Sequence, residues 1–301
     1  MAVYFANKIP RQPGACVDVS WSRHVPTTTR VPAMCAVSYS TGAVGMYTEE
    51  GDDVSAARPV RSDAPGVYPC VLAWHPSAPT LAIGWTDGTV SVWSGTERRI
   101  AGEERATHAG RSVTALAWSP TGHKLVTGDD QGTVSVWTLD AKLRPKPSPG
   151  FRCAKPNPGA RVSHVVVPDD LEDLTEGAEP DTFVFYYAIN EGLSDSGHVC
   201  MGVDTTAVND TAVSPSEKPT SRKIFDAPCE IHAVLHHDGV GNVITLGTDS
   251  TLSIFAPPED ANAPSVKTAP WRSISSTKLP TEGDAEVRLF YFPYAQCDCR
   301  N

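Results

Sequence analysis

The chain has 301 residues, 40% of them hydrophobic, and a formal charge of −10. That length buries a large core in one or two domains, and an acidic balance excludes a phosphate-backbone binder, whose surface collects Lys and Arg. No stretch approaches the roughly 18 apolar residues of a membrane-spanning helix, and Met1 to Pro10 lacks the basic start and apolar core of a secretory signal.

Taken in order, Val17-Asp-Val-Ser-Trp21 alternates as a half-buried strand does. A Pro- and Thr-rich loop spans His24 to Pro32, followed by strands at Met34-Cys-Ala-Val-Ser38 and within Thr41-Gly-Ala-Val-Gly-Met-Tyr47. These segments form a first, divergent unit of a repeat that is plain further on.

Leu-Ala-Trp-His-Pro at 72–76 returns as Leu-Ala-Trp-Ser-Pro at 116–120, and Gly88-Thr-Val-Ser-Val-Trp93 returns as Gly132-Thr-Val-Ser-Val-Trp137. Both offsets are 44 (116 − 72 and 132 − 88), so the two units align without a gap. Each unit reads as a meander: a strand ending at Trp-x-Pro, a strand at Leu81-Ala-Ile-Gly84 or Leu125-Val-Thr-Gly128, then a Gly turn into a third strand. Fourth strands are expected at Arg98 to Ile100 and just after Leu139. A period near 44 with these features resembles the WD40 repeat, which implies an all-β propeller. The resemblance also implies a His–Ser/Thr–Asp–Trp hydrogen-bond set in each blade. Asp87 and Trp93 match two of its positions in the second unit. His108, Thr127 and Trp137 match three in the next, with Gln131 where the Asp belongs. The blade residues expected to carry structure are therefore Trp74, Asp87, Trp93, His108, Trp118 and Trp137, and the blades are expected to lean on apolar packing.

Lys142 to Pro158 reads as an exposed connector. Strands are expected at Arg161 to Val167, Thr182 to Ile189, Gly197 to Val203 and Lys223 to Phe225, with an acidic solvated loop at Asp169 to Glu179. Ile231 to Leu235, Val243 to Leu246 and Thr248-Asp-Ser-Thr-Leu-Ser-Ile-Phe255 make a fifth unit, and Glu286 to Phe292 reads as the start of a sixth. The chain divides into blades one to five over 1–256 and a linker with a partial sixth blade over 257–301. A seven-bladed ring needs about 300 residues at this period, so an incomplete propeller is expected.

The search for chemistry finds no catalytic residue, cofactor site or metal site. His75 precedes Pro76 as Ser119 precedes Pro120, so it reads as a variable turn residue. His236-His237-Asp238 falls at the turn after a strand, and because adjacent His on a strand point to opposite faces, one ion cannot easily take both. Cys297-Asp-Cys299 has no second pair to complete a zinc site. The eight Cys are scattered and read as free thiols of a reducing compartment, so the default location is the cytoplasm.

Residues 1–140 are similar to the N-terminus of the intraflagellar transport protein 140 family. The resemblance rests on the opening Met-Ala-Val-Tyr-Phe, Ser-Thr-Gly-Ala-Val-Gly-Met-Tyr at 40–47, Cys70-Val-Leu-Ala-Trp-His-Pro76 and Leu81-Ala-Ile-Gly-Trp85. It continues through Val-Thr-Ala-Leu-Ala-Trp-Ser-Pro-Thr-Gly at 113–122 and Trp137-x-Leu-Asp140. The resemblance implies a non-enzymatic scaffold subunit of intraflagellar transport complex A. Such a subunit supports retrograde transport and cargo entry at the cilium, flagellum and ciliary base. Its partners would be other complex A subunits and ciliary cargo, with no nucleic acid and no direct membrane span. The alternative is a WD40 adaptor of the ubiquitin-ligase or vesicle-coat type outside the cilium. A propeller enzyme would need Asp, Glu or His converging on the channel, where the inward strand positions read as Val, Ala and Gly.

Overall fold

The segment Thr80-Leu-Ala-Ile-Gly-Trp85 is apolar at nearly every position instead of alternating, and the fold supplies the reason: both faces of its sheet are covered. The structure is a computed structural model describing residues 14–22, 34–48, 66–153, 159–168, 183–192, 195–204, 220–237, 241–257 and 271–279. Among these residues the chain is all-β, a propeller of five sheets, each an antiparallel meander.

Blade one holds β1 (Cys16–Trp21), β2 (Met34–Tyr39) and β3 (Val44–Thr48). Blade two holds β4 (Pro69–Trp74), β5 (Thr80–Trp85), β6 (Val90–Ser94) and β7 (Arg99–Glu104). Blade three holds β8 (Val113–Trp118), β9 (Lys124–Asp129), β10 (Val134–Leu139) and β11 (Pro145–Pro147). Blade four holds β12 (Ala160–Val166), β13 (Phe183–Glu191), β14 (Ser196–Asp204) and β15 (Ser221–Ala227). Blade five holds β16 (Ile231–His237), β17 (Asn242–Gly247), β18 (Thr251–Ala256) and β19 (Arg272–Lys278).

Two segments differ from expectation. The connector at 142–158 carries β11, because Pro145 to Pro147 pairs with Leu139 to Trp137 as the outer strand of blade three. A run of Pro and Lys is tolerated there because an outer strand has only one neighbour to bond. The fourth strand of blade five, β19, lies beyond residue 256, across a longer connection than blades two and three use. The acidic loop at 169–179, the strand expected at 286–292 and the Cys pair at 297 and 299 lie outside the described residues.

The first strands β1, β4, β8, β12 and β16 contact one another in turn. Each bulges at the same step, between Cys16/Asp18, Pro69/Val71, Val113/Ala115, Val162/His164 and Ile231/Ala233. Counting from the bulge sets Trp21, Trp74, Trp118, Val167 and His236 at equivalent places.

The core is a series of seams between blades. Along β5, Leu81, Ile83 and Trp85 face blade one, joining Met34, Ala36, Val44 and Met46. Ala82 between them, with Val90 and Val92, faces blade three and meets Val113, Trp118, Leu125 and Trp137. Large side chains thus point one way and small ones the other, so successive wedges nest. Gly84 and its equivalent Gly128 complete the small face: a Cβ on either would collide with Val113 or Val162 of the next inner strand. Similar seams join blades three and four around Phe185 and Tyr187, and blades four and five around Tyr186 and Trp271.

Candidate functional site

The feature with the densest chemistry is a buried polar lock in blade three. Trp137 Nε1 donates to Thr127 Oγ1 at 2.9 Å. Thr127 Oγ1 lies 2.7 Å from His108 Nε2, and His108 Nδ1 lies 2.9 Å from Asp129 Oδ2. All four side chains are fully buried. With the His108 proton on Nδ1, every donor has an acceptor: indole to hydroxyl, hydroxyl to Nε2, and Nδ1–H to carboxylate.

Asp129 then collects more donors. Its Oδ1 accepts the amides of Gln131 at 3.0 Å and Thr133 at 2.7 Å, and Arg111 approaches Oδ2 at 3.1 Å. Burial alone would raise its pKa, but the bonds from His108, Thr133 and Gln131 outweigh burial and hold it below the usual carboxylate value. Arg111 also binds Thr133 Oγ1 at 2.8 Å and the Thr107 carbonyl at 2.9 Å, which fastens the segment entering β8 to the β9–β10 turn. Blade three therefore does not lack the carboxylate. Asp129, two residues before Gln131, supplies it, because its side chain points inward at the end of β9. Gln131 sits in the turn and contributes its backbone amide.

Blade two fills the same space differently. Ile83 and Trp85 stand where Thr127 and Asp129 stand in blade three, 44 residues on. Trp85 is fully buried, and its Nε1 donates to Ser91 Oγ at 3.0 Å; Ser91 in turn donates to Glu103 at 3.2 Å. Trp93 is buried edge-on to Trp74 with ring centroids 6.5 Å apart, and its Nε1 has no hydrogen-bond partner. Asp87 Oδ1 accepts the Thr89 amide at 3.0 Å and caps its own turn.

Trp74 and Trp118 join blades rather than strands. Trp74 Nε1 donates to the Ser20 carbonyl of blade one at 3.0 Å, and Trp118 Nε1 donates to the Ala73 carbonyl of blade two at 2.9 Å. Blade four has Val167 at this position and no indole to offer. At its seam with blade three, polar contacts join the apolar packing: Thr114 Oγ1 donates to the Val162 carbonyl at 2.6 Å, and buried Lys124 meets buried Asp204 at 3.0 Å. Ser148 donates to the same carboxylate, and the Lys124 ammonium lies 5.4 Å from the centre of the Phe183 ring. Sequence reasoning missed Asp129, Arg111 and this cluster. Asp129 was legible as the acidic residue ending the second strand, but Lys124 and Asp204 lie 80 residues apart with no local signal.

Elsewhere the described surface brings few reactive groups together. His236 is buried and stacked on Tyr186, while His237 is exposed. No group of three or more His, Cys, Asp or Glu among the described residues is placed to hold a metal ion. The six described cysteines are free, with Cys35 and Cys200 buried and Cys16 exposed. Burial pushes Cys35 and Cys200 up to about 12, so neither is a ready nucleophile. No helix among the described residues is long and apolar enough to cross a membrane.

Known proteins share this architecture. The computationally designed Ika8 protein superposes with a TM-score of 0.53 at 14% identity, over 90% of this chain. The chain spans 64% of that protein's length, and the likeness is one of fold. A family profile described as the IFT140 first β-propeller matches residues 2–176, more than half the chain, through the two closely repeated blades and into blade four. With its five nested blades and the Trp-His-Pro and Leu-Ala-Ile-Gly-Trp signatures of blade two, the chain belongs to the IFT140 first β-propeller family.

Proposed function

We propose that the chain is a non-enzymatic scaffold within intraflagellar transport complex A, holding neighbouring subunits and ciliary cargo through protein–protein contacts. The observation that carries this reading is the family match over residues 2–176. The physical arrangement agrees with it. Side chains are spent on locks within blades and seams between them, and the turns at the blade ends are left as recognition surface on a rigid support. In this role no bond is made or broken. The protein acts at the cilium or flagellum and its base, supporting retrograde transport and cargo entry.

Affinity purification of the tagged protein from ciliated cells tests the assignment. Complex A subunits should co-purify in near-stoichiometric amounts. Recovery of ubiquitin-ligase or vesicle-coat subunits in their place would overturn the proposal in favour of a WD40 adaptor outside the cilium.

A further inference from the structure

In blades one and three the residue after the inner-strand Trp is a serine that accepts the amide opening the next strand. Ser22 in blade one accepts the Met34 amide at 2.7 Å, and Ser119 in blade three accepts the Lys124 amide at 3.0 Å. In blade two the position is His75. Its Nδ1 accepts two amides, from Ser77 at 3.1 Å and Ala78 at 3.0 Å. A ring nitrogen that accepts carries no proton, so the single proton of neutral His75 sits on Nε2.

That Nε2–H leaves its own blade. That edge of the ring lies against the backbone of Gly122 in the β8–β9 turn of blade three. The approach is so close that a Cβ on Gly122 would stand on the imidazole ring. The ring also lies edge-on to Trp118, centroids 4.9 Å apart, and Trp118 donates back to Ala73 of blade two. One imidazole therefore closes a turn in blade two and packs against a turn in blade three, which a serine at this position is too short to do.

We propose that His75 is a proton-sensitive fastener at the seam between blades two and three: neutral, it holds its own turn closed against the neighbouring one, and protonated, it releases that turn. A second proton can enter only at Nδ1, where it would face the two amide hydrogens of Ser77 and Ala78. Both bonds are lost, and the 75–78 turn must open to hydrate the cation. The titratable group acting from the neighbouring turn is His123; Pro76 to Pro79 and Trp118 bring no charge. Burial holds His75 below its ordinary value of 6.5; the Gly122 carbonyl opposes that shift, and His123 adds to it. The unfolded chain thus takes up this proton at a higher pH than the folded chain. The stabilisation is whole above pH 6.5 and is lost as pH falls toward the folded value.

The test compares the full chain with its His75→Asn variant, whose Oδ1 keeps an acceptor for the two amides but does not titrate. Thermal midpoints measured from pH 8 to pH 5 should show the native chain falling relative to H75N once the pH passes below 6.5. In parallel, histidine-selective NMR of the native chain should show His75 as the Nε2–H tautomer, titrating below 6.5 together with the Ser77 and Ala78 amides. A midpoint difference that stays constant over the range would overturn the proposal. So would a His75 ring that titrates at 6.5 without moving those amides; this second readout stands even if H75N does not fold.

Discussion

Blades two and three share twelve of 22 residues between Leu72 and Trp93 and their counterparts 44 positions on, yet their interiors are held by different forces. In blade three Trp137 begins a chain of hydrogen bonds that ends on a buried, fully satisfied carboxylate. In blade two Ile83 and Trp85 replace the hydroxyl and the carboxylate, and the indole of Trp93 keeps its shape contacts while its N–H goes unpaired. The same strand template thus tolerates either a polar or an apolar filling, provided each is complete. An unpaired buried N–H costs about 1–3 kcal/mol, and the extra packing of Trp85 and Ile83 offsets that cost in blade two. The repeat specifies the shape of a blade, and two or three inward positions decide what holds it.

The comparison breaks most sharply at the carboxylates. Asp129→Ala removes the acceptor for His108, Arg111 and two amides in a buried setting, so it should cost about 3–5 kcal/mol. Asp87→Ala, at the residue whose family position matches the lock, loses a turn cap and should cost only about 1 kcal/mol. Denaturant midpoints of the full chain at unchanged slope give both values. Equal losses would mean that blade two holds a lock of its own.

A smaller effect sharpens the same contrast. Trp93→Phe and Trp137→Phe remove the same atoms from two buried sites, but only Trp137 has a hydrogen bond to lose. Trp137→Phe should therefore be the more costly by about 1 kcal/mol. A reversal of that order would place the missing partner on Trp93.

Much of this architecture was legible in the sequence because it is written in a period. The offset of 44, the Gly turns and the apolar second strands mark blades two and three outright, and a weaker copy of Thr86 to Trp93, Thr248-Asp-Ser-Thr-Leu-Ser-Ile-Phe255, marks blade five. What stayed hidden depends on partners distant in the chain. The family spacing points to Gln131, six residues before Trp137, whereas the lock uses Asp129 at the inward-facing end of the strand before the turn. The Lys124–Asp204 pair joins β9 of blade three to β14 of blade four, 80 residues on, so no local pattern announces it. The outer strands β11 and β19 were hard to read for another reason: only one side of each is paired, so Pro, Ser and Lys are acceptable there. His75 was passed over as a variable turn residue, since one sequence does not reveal that Gly122 of the next blade lies within its reach.

Whether this propeller serves intraflagellar transport is decided by tagging the protein at its own locus and imaging ciliated cells. Signal is expected at the ciliary base and along the shaft, moving with retrograde trains. A protein that stays diffuse in the cytoplasm and never reaches the base or shaft would contradict that role.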